Sequence, residues 1–559
     1  KMPADDQASI YRRSSGGFDS LLMQYGSSQG PDTVDGIGSN PHMNGFGTAI
    51  WQVEWLDEGA QYESRGGIYQ GTPDSVVKVA TSGDVFSSET ICSPEPFPLI
   101  NSNNQGFFGT TVDGGVSKDI CIEDGDRISN SIRGARKAIF RFTPPSTRAL
   151  LLKADLFGFN SPDTVTTSNS DFVASQTTFM VTDAHLIAHG GDAVTSSGNA
   201  VVKAWLDENP DPDTTDLGAN KPFEAFLYLT GGSPQLVAMT SPLAVADANG
   251  AEVSTRRFAK LEKAVTNAGG TVFFRGANTD EDFGYGGNDN GLGSYDVSLN
   301  FWTSGGGINE LVAAGDNLPG GGGVFEGFTS HYDLNDSGAV AFTAGLQVNG
   351  QTCNGEDLNG YGALYPGNSC RGVYYKPAAG NIVEVARNEQ AGSGNGADSA
   401  AGFDFEELGS VAVMSSSNTV YFVAQNQDQV SGCVLDLNDD DDYAGGDAVR
   451  SGIFGWNSGV MQKLVAEGDI INSNDRVVRL FLPMPELRQH DAGNNFVVRA
   501  WIDDNDDDTC VADTEQTLRL SFVAASIGPL APIPVLGPWF VWLLAGLVGL
   551  LGGGRLLRK

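Results

Sequence analysis

Three acidic segments repeat a spacing of oxygen-bearing side chains that suits a hard divalent cation. Each contains Asp-x-Asn-x-Asp, and two of them add a further Asp two positions on. The candidate ligands are Asp207, Asn209, Asp211 and Asp213; Asp436, Asn438, Asp440 and Asp442; and Asp503, Asn505 and Asp507. Because Ca²⁺ takes about six to eight oxygen ligands, alternate positions of a short loop could surround it. The spacing predicts calcium as a cofactor; the alternative is a solvated acidic rim that holds no cation.

A second group of residues has metal-ligand spacing but lacks the expected context. Asp183, His185, His189 and Asp192 fall within ten residues, yet Leu186 occupies the place of the glutamate in a zinc-protease helix. The surrounding pattern is not helical either. We therefore interpret these histidines as ordinary loop or core residues. No nucleophile motif, phosphate-binding loop or carboxylate pair stands out, so the sequence predicts no catalytic residue.

The acidic segments follow short runs that are rich in β-branched and aromatic residues and indicate strands. The clearest run, preceded by a polar turn, is LNDSGAVAFTAGL at 334–346. Related stretches occupy 43–55, 131–142, 195–205, 266–278, 415–426 and 491–501. A second phrase, a hairpin such as GIFGWNSGVMQKLVAEGD at 452–469, alternates with the first. The acidic segments fall after the first phrase and before the second.

A repeat of about 75 residues that holds about four short strands is typical of a propeller blade. The sequence predicts an all-β fold: a seven-bladed β-propeller over 41–526, whose acidic loops all lie on one face. Residues 1–40 form an N-terminal segment that could close the ring. A Pro-rich linker at 527–537 leads to a transmembrane-type helix and basic tail at 538–559. Two β-sandwiches with chance similarity are the alternative.

Composition limits the partners and indicates an exported protein. The formal net charge is −36, which disfavours nucleic acid as a partner. Six cysteines without a C-x-x-C motif favour disulfides over a metal or redox site: Cys92, Cys121, Cys353, Cys370, Cys433 and Cys510. Proximity suggests the pairs Cys92–Cys121 and Cys353–Cys370, although the sequence leaves the connectivity open.

The C-terminal residues 530–559 combine a Pro-rich lead, an uncharged run of about twenty residues and a basic end. As a helix, the uncharged run is long enough to cross a bilayer. This tail resembles the bacterial sorting tails of the exosortase type with an Ile-Pro-Thr-Leu signature. The matching residues are Ile533, Pro534, Val535 and Leu536, with Val535 where the family usually has Thr. The resemblance implies an extracellular or cell-surface location in a Gram-negative-type bacterium. A plain membrane anchor is the alternative.

The body of the chain resembles a group of uncharacterised secreted bacterial repeat proteins, through stretches such as LVAAGDNLPGGGG and LNDSGAVAF within 311–342. That resemblance implies no activity. The sequence favours a surface-anchored structural or adhesive protein that binds calcium. Its expected partners are other copies of itself in a filament or sheath, envelope or matrix components, glycans, and the membrane through the tail. The alternative is an extracellular propeller hydrolase or lyase acting on polysaccharide or phosphate esters, which predicts a polar cluster at the inner strands around His185, His189 or His331.

Overall fold

The structure, a computed structural model, describes part of the chain. The described residues are 9–13, 19–24, 28–29, 32–37, 42–44, 48–56, 64–72, 75–86, 89–95, 97–113, 135–155, 161–167, 173, 175–187, 193–208, 223–240, 258, 260–277, 297–348, 370–387, 405, 407–413, 417–426, 450–472, 475–481, 496–503 and 514–520. All of them belong to one compact unit, Lys1–Ser521. A second unit, Phe522–Lys559, lies outside the described residues and contains the predicted tail helix.

The regular structure of the described residues is entirely β, as the sequence predicts. Strands β1 (Ser9–Arg13) and β2 (Asp19–Gln24) pair with each other. Sheet 1 contains β3 (Ser28–Gln29), β4 (Asp32–Ile37), β5 (His42–Met43), β6 (Ala49–Leu56), β7 (Ser64–Thr72) and β8 (Ser75–Thr81). Sheet 2 contains β9 (Val85–Phe86), β10 (Glu89–Pro94), β11 (Leu99–Ile100), β12 (Gly106–Asp113), β13 (Ala135–Thr143) and β14 (Thr147–Ala154). Sheet 3 contains β15 (Thr164–Thr167), β16 (Thr177–Leu186), β17 (Ala200–Asp207), β18 (Phe223–Leu229) and β19 (Gln235–Met239).

Four further sheets follow in chain order. Sheet 4 contains β20 (Lys260–Thr266), β21 (Val272–Ala277), β22 (Val297–Thr303) and β23 (Gly307–Ala313). Sheet 5 contains β24 (Gly323–Leu334), β25 (Val340–Val348), β26 (Cys370–Lys376) and β27 (Val383–Arg387). Sheet 6 contains β28 (Glu407–Val413), β29 (Val420–Asn426), β30 (Arg450–Asn457) and β31 (Val460–Ala466). Sheet 7 contains β32 (Ile470–Asn472), β33 (Asp475–Phe481), β34 (Phe496–Asp503) and β35 (Thr514–Leu520).

Each sheet is built on an antiparallel meander whose strands pair in chain order. We call its members the first to fourth strands; β4, β10, β16, β20, β24, β28 and β33 are the first strands. The short strands β3, β5, β9, β11, β15 and β32 extend these meanders. In sheet 7 the meander has three described strands, β33 to β35. The first phrase of the sequence is therefore a second strand, and the hairpin phrase is a third and fourth strand.

Apolar cores lie between successive sheets. One buried cluster joins sheets 1 and 2, another joins sheets 2, 3 and 4, and two more join sheet 4 to sheet 5 and sheet 5 to sheet 6. Within them the second strands contribute large buried side chains such as Phe108, Phe274 and Phe342. Meanders that follow one another along the chain, each packed on the next, have the organisation of a β-propeller.

The turn between the first and second strands has one chemistry in several sheets. In sheet 5 the Asn335 Oδ1 accepts a hydrogen bond from the Ala339 N at 2.9 Å, and Gly338 has a positive φ of 83°. In sheets 2 and 4 the side chains of Asn101 and Asn267 accept from the backbone N four residues later in the same way. An asparagine side chain thus closes the polar turn that precedes the second strand in each of these sheets.

The same asparagines also bind the next sheet. Asn44 Nδ2 donates to Asn101 O at 2.9 Å, and Asn101 Nδ2 donates to Thr195 O at 2.7 Å. Farther along the chain, Asn267 Nδ2 donates to Asn335 O at 3.3 Å, and Asn335 Nδ2 donates to Asn418 Oδ1 at 2.9 Å. We call Asn44, Asn101, Asn267 and Asn335 the turn asparagines. These bonds hold corresponding turns of neighbouring sheets side by side.

A second repeated turn connects each of three fourth strands to the next sheet. Asp84, Asp316 and Asp469 follow a glycine, and the Oδ2 of each accepts a hydrogen bond from the backbone N three residues earlier, at 2.8 to 3.1 Å. The preceding glycines have φ values between 83° and 91°, which side chains on Cβ disfavour. A Gly-Asp pair after a Val-Ala strand end, as in VATSGD at 79–84, VAAGD at 312–316 and VAEGD at 465–469, therefore marks the crossing from one sheet to the next.

Sheet 2 corrects one assignment made from the sequence. The stretch 131–142 resembles the first phrase, but it contains β13, a third strand. The second strand of sheet 2 is β12, which follows the asparagine turn at Asn101. Segment 114–134 therefore connects the second and third strands, as the acidic segments do in the other sheets, and it too is rich in Asp and Glu.

Replacing Asn101 by Asp should test the bonds that its buried Nδ2 donates, to Thr195 O of the next sheet and to Gln105 Oε1 of the same turn. The new carboxylate can still accept from the Gln105 N, but it cannot donate to Thr195 O and would bring a buried charge close to that carbonyl. We expect the free energy of unfolding to fall by about 2–3 kcal/mol, measured by urea denaturation with an unchanged m-value.

Asn103→Asp is the matched control. Asn103 lies in the same turn and donates to Ser196 O at 2.7 Å, but it is exposed. We expect this control to change stability by less than about 0.5 kcal/mol. Equal losses of unfolding free energy in the two variants would show that the buried bond stabilises the fold no more than the exposed one.

Candidate functional site

Most of the sequence-predicted site residues lie outside the described residues. These are Asn209, Asp211, Asp213, Asp436, Asn438, Asp440, Asp442, Asn505, Asp507, His189, Cys121, Cys353, Cys433, Cys510, Ile533, Pro534, Val535 and Leu536. Asp207 and Asp503 are the last residues of the second strands β17 and β34. In the described ranges, no three His, Cys, Asp or Glu side chains are grouped to hold a metal ion. The calcium prediction therefore stays a prediction.

Two of the six cysteines, Cys92 and Cys370, belong to the described residues. Cys92 is disulfide-bonded, and its partner lies outside the described residues. Cys370 is the first residue of β26. The pairing suggested by proximity stays a prediction. Across the ranges the structure covers, no helix is long and apolar enough to span a bilayer.

All seven first strands have a β-bulge opposite the second strand. The irregular register falls between Val34 and Gly36, Ile91 and Ser93, Val181 and Asp183, Glu262 and Ala264, Phe328 and Tyr332, Leu408 and Val411, and Val477 and Arg479. A bulge leaves backbone groups without a partner in the ladder and re-aims side chains. The bulges therefore create polar positions on the first strands.

Second-strand side chains reach the bulged first strand of the following sheet. Gln52 Nε2 donates to Pro94 O at 3.1 Å, and Thr343 Oγ1 donates to Gly409 O at 3.0 Å. The Arg275 guanidinium donates to Phe328 O in the same manner. Counted from their turns, these residues hold the same position in their second strands. A polar side chain at this position links neighbouring sheets by binding a carbonyl of the bulged strand.

Between sheets 2 and 3 an ionic cluster replaces this single bond. Glu95 Oε1 lies 2.5 Å from Lys137 Nζ and 3.2 Å from His185 Nδ1. On the other side of the ring, His185 Nε2 lies 3.3 Å from Asp183 Oδ2. We call Glu95, Lys137, Asp183 and His185 the ionic cluster. It contains two carboxylates, one ammonium group and one imidazole.

A glycine makes room for this cluster. Gly109 holds the β12 position that carries Gln52, Arg275 or Thr343 in other sheets, and a Cβ there would overlap the Glu95 carboxylate. The Glu95 N donates to Gly109 O at 2.9 Å, which fixes the glutamate beside the second strand. Lys137 reaches the same space from β13, a third strand. Strands β12 and β13 therefore position Glu95, which follows β10, and Lys137 opposite β16.

The charges stabilise one another. Hydrogen bonds to Asp183 and Glu95 raise the pKa of His185 to about 9, against the opposing effects of burial and of Lys137. Burial alone would raise the pKa of Glu95, but the bond from His185 and the charge of Lys137 outweigh it, so this pKa is lowered. The pKa of Asp183 is lowered for the same reasons, with the Ala184 N as a further donor. At neutral pH the cluster is an imidazolium ion between two ionised carboxylates.

A half-exposed surface surrounds the imidazolium. The His185 side chain is 37% exposed and the Asp183 side chain is 36% exposed, whereas the Glu95 side chain is 17% exposed. The Trp205 ring meets the His185 ring edge to face, with centroids 5.3 Å apart. Lys203 Nζ lies 5.6 Å from the Trp205 centroid and 3.2 Å from Glu224 Oε2. Solvent therefore reaches Asp183 and His185 more freely than Glu95.

His331 occupies a different electrostatic environment between sheets 4 and 5. It lies in the bulge of β24, and its Nδ1 is shielded from solvent without a hydrogen-bond partner. Burial, together with repulsion from Lys263, Arg371 and Arg275, lowers the pKa of His331 to about 3. At neutral pH this imidazole is therefore uncharged. The two described histidines named by the enzyme alternative thus both lie on bulged first strands, but in opposite charge states.

The sequence did not predict Glu95, Lys137 or the partners of His185. Asp183 and His185 have metal-ligand spacing in the sequence, but in the structure His185 forms ion pairs with Asp183 and Glu95, and Glu95 also pairs with Lys137. The available signal was Gly109, which breaks the β-branched and aromatic pattern of β12 at the position filled by a polar side chain in other sheets. Recognising that signal required the correct register of sheet 2.

No protein-family model matches the chain, and no curated protein matches it either. Among solved structures it is similar to the β-propeller domain of the Trilobed protease from Pyrococcus furiosus, with 5% identity, a TM-score of 0.36, and coverage of 88% of this chain and 95% of that one. It is also similar to an acylaminoacyl peptidase in complex with Z-Gly-Gly-Phe-chloromethyl ketone, with 10% identity, a TM-score of 0.32, and coverage of 86% and 52%. A third similar structure is the Penicillium chrysogenum α-L-arabinanase complexed with arabinobiose, with 9% identity, a TM-score of 0.24, and coverage of 75% and 92%. None of these similarities contributes to the assignment of site residues.

The raised pKa of His185 gives the stability of this region a defined pH dependence. Because the folded pKa of about 9 exceeds the ordinary 6.5, the stabilising contribution is fully present below pH 6.5 and is lost as the pH rises through about 9. We expect His185→Gln to lower the melting temperature near neutral pH and to have progressively less effect at alkaline pH, as measured by scanning calorimetry. Glu224→Gln removes a neighbouring ion pair that contains no histidine, and its effect should not follow this profile. A His185→Gln effect that is constant from pH 6.5 to pH 10 would contradict the ion pairing.

Proposed function

We propose that the protein is an exported, seven-bladed β-propeller hydrolase whose active centre is the ionic cluster of Glu95, Lys137, Asp183 and His185. The observation that carries this proposal is the direct contact of one imidazolium with two ionised carboxylates on a half-exposed surface. The substrate class is a polysaccharide or a phosphate ester, because hydrolysis of both releases an oxygen leaving group that needs a proton. We therefore prefer the extracellular propeller hydrolase, the alternative that the sequence left open, to a structural or adhesive protein.

The proposed chemistry assigns one role to each charged group. His185, protonated at neutral pH, donates a proton to the leaving oxygen. Asp183 is the more exposed carboxylate and takes a proton from the attacking water. Lys137 stabilises negative charge as it develops on the substrate. Glu95 contacts both cations and is a positioning residue, because its bond to Nδ1 fixes the orientation of the imidazole.

We propose that the propeller has seven blades. Seven sheets with four or more strands support it, as does the common side on which the turn asparagines lie. We propose that sheet 7 meets sheet 1 and that the N-terminal segment completes the closure. The tail resemblance supports export and attachment or sorting at the cell surface; on this proposal the tail contains a helix that crosses the membrane.

The acidic segments are proposed to bind calcium on one side of the propeller. Each connects a second to a third strand, which places it at the opposite end of the sheet from an asparagine turn. Asp207 and Asp503 end β17 and β34, so the first oxygen ligand of two segments follows directly from a sheet. Such segments also support the second candidate function, adhesion or assembly through calcium-bound loops.

Activity measurements on single variants test the catalytic proposal. We expect Asp183→Asn and His185→Gln to lower kcat by at least about a hundredfold, because each removes a proton-transfer group. The assay follows release of reducing ends from polysaccharides and of phosphate from phosphate esters by the full chain. Glu224→Gln, a half-exposed carboxylate of the same sheet that is paired with Lys203, is the matched control and should retain activity. Unchanged activity in Asp183→Asn, or no hydrolysis of either substrate class by the native chain, would contradict the proposal.

Calcium removal tests the proposed metal sites. A bound ion stabilises the folded chain in proportion to its occupancy, so excess chelator should lower the melting temperature by at least a few degrees. Asp503→Ala combined with Asp507→Ala should reduce the calcium bound per chain by about one equivalent and leave the other sites occupied. An identical melting curve with and without chelator would count against these sites.

A further inference from the structure

His331 lies where two neighbouring sheets exchange several polar contacts. Lys263 Nζ donates to Tyr332 O at 3.2 Å, and the Tyr332 hydroxyl donates back to Lys263 O. Arg275 forms an ion pair with Glu262 and also binds Phe328 O across the sheet boundary. These bonds fix two cationic side chains of sheet 4 beside the bulge that contains His331.

A third cation approaches from within sheet 5. Arg371 belongs to β26 and pairs in the ladder with Gly345 of β25, which in turn pairs with Gly327 of β24. One glycine, Gly345, therefore separates Arg371 from the first strand, where its partner is also a glycine, Gly327, so that no side chain blocks this face. Arg371 is 7% exposed, so its charge acts in a largely desolvated environment. Its field reaches His331, as does that of Arg275 and Lys263.

Two acids near this bulge, Glu262 and Asp333, are bonded to other partners. Glu262 is bound to Arg275 and lies 3.5 Å from Lys260. The Asp333 side chain accepts from the Leu334 N at 2.9 Å and from the Val413 N of sheet 6 at 2.7 Å. Neither carboxylate raises the pKa of His331. Burial and the three cations all lower it.

We propose that His331, Lys263, Arg275 and Arg371 form a binding site for an oxyanion, either the carboxylate of a sugar acid or a phosphate group. Lys263 and Arg275 are held beside the bulge, Arg371 adds a third positive charge, and the buried His331 Nδ1 has no hydrogen-bond partner. An oxygen acceptor with negative charge would complete this arrangement. Residue His331 as a whole is only partly buried, and we propose that a small anion approaches from its exposed side. This site is separate from the ionic cluster, and the inference does not depend on the proposed hydrolase activity.

The net charge of the chain does not oppose such a site at close range. Repulsion from distant carboxylates is screened over about 8 Å at physiological ionic strength. The local cations act at shorter distance and in partly buried surroundings, where screening is weaker. Anion binding would also favour the protonated form of His331, because the bound charge offsets the repulsion from the three cations. By linkage, protonation of His331 would strengthen anion binding to the same extent.

Nuclear magnetic resonance of the full chain, isotopically labelled at histidine, tests this proposal with inorganic phosphate and with glucuronate. The His331 resonance is assigned by its loss in His331→Gln, and ionic strength is held constant with chloride. We expect a saturable shift of the His331 resonance that chloride alone does not produce. Saturation by phosphate alone indicates a phosphate site, and saturation by glucuronate indicates a sugar-acid site; either outcome supports an oxyanion site.

Variants separate a defined site from general attraction to positive charge. Arg371→Gln should weaken binding by at least about tenfold, because it removes one of three charges that face the anion. Lys78→Gln removes an exposed lysine of sheet 1 and should leave binding unchanged. Where Arg371→Gln does not fold, isothermal titration of the same anions into the native chain and into His331→Gln replaces it. The proposal is overturned if neither anion shifts the His331 resonance beyond the chloride control, or if the folded variants bind as tightly as the native chain.

Discussion

The structure depends on satisfying polar backbone groups that are buried where one sheet packs on the next. The boundaries between successive sheets from sheet 1 to sheet 6 bury large apolar side chains. An unpaired carbonyl there would cost about as much free energy as a lost hydrogen bond. The turn asparagines solve this problem locally: the Oδ1 closes a turn within one sheet while the Nδ2 binds the corresponding turn of the next. One side chain thus couples the conformation of a loop to the packing of two sheets.

The bulges of the first strands create the same requirement in the middle of each boundary. Gln52, Arg275 and Thr343 meet it with a side-chain donor at one position of the second strand. Where that position is Gly109, the space contains charged groups instead, and an imidazolium ion becomes part of the boundary. Variation at a single structural position therefore replaces a side-chain bond to one carbonyl with an ionic cluster that has a half-exposed surface. This is how the fold provides chemistry without changing its sheets.

Much of the fold could be predicted from the sequence because its signals are local. The two alternating strand phrases and the polar turn that precedes the first phrase depend on neighbouring residues and correspond to strands and turns of the structure. Sheet 2 was misassigned because β13 has the same apolar pattern as a second strand. The ionic cluster was not predictable in this way: Glu95 and His185 are 90 residues apart, and Lys137 comes from a third strand. Only the register between sheets places them together.

Side-chain amide hydrogen exchange measures the central interaction most directly. In the chain labelled with ¹⁵N at asparagine, the Nδ2 groups of Asn101, Asn267 and Asn335 should exchange at least about a hundredfold more slowly than that of Asn103. All four bond to the next sheet, but the first three side chains are buried and reach solvent only when the sheets separate, whereas Asn103 is exposed. Exchange of these three amides at the rate of Asn103 would contradict the coupling of sheets through their turns.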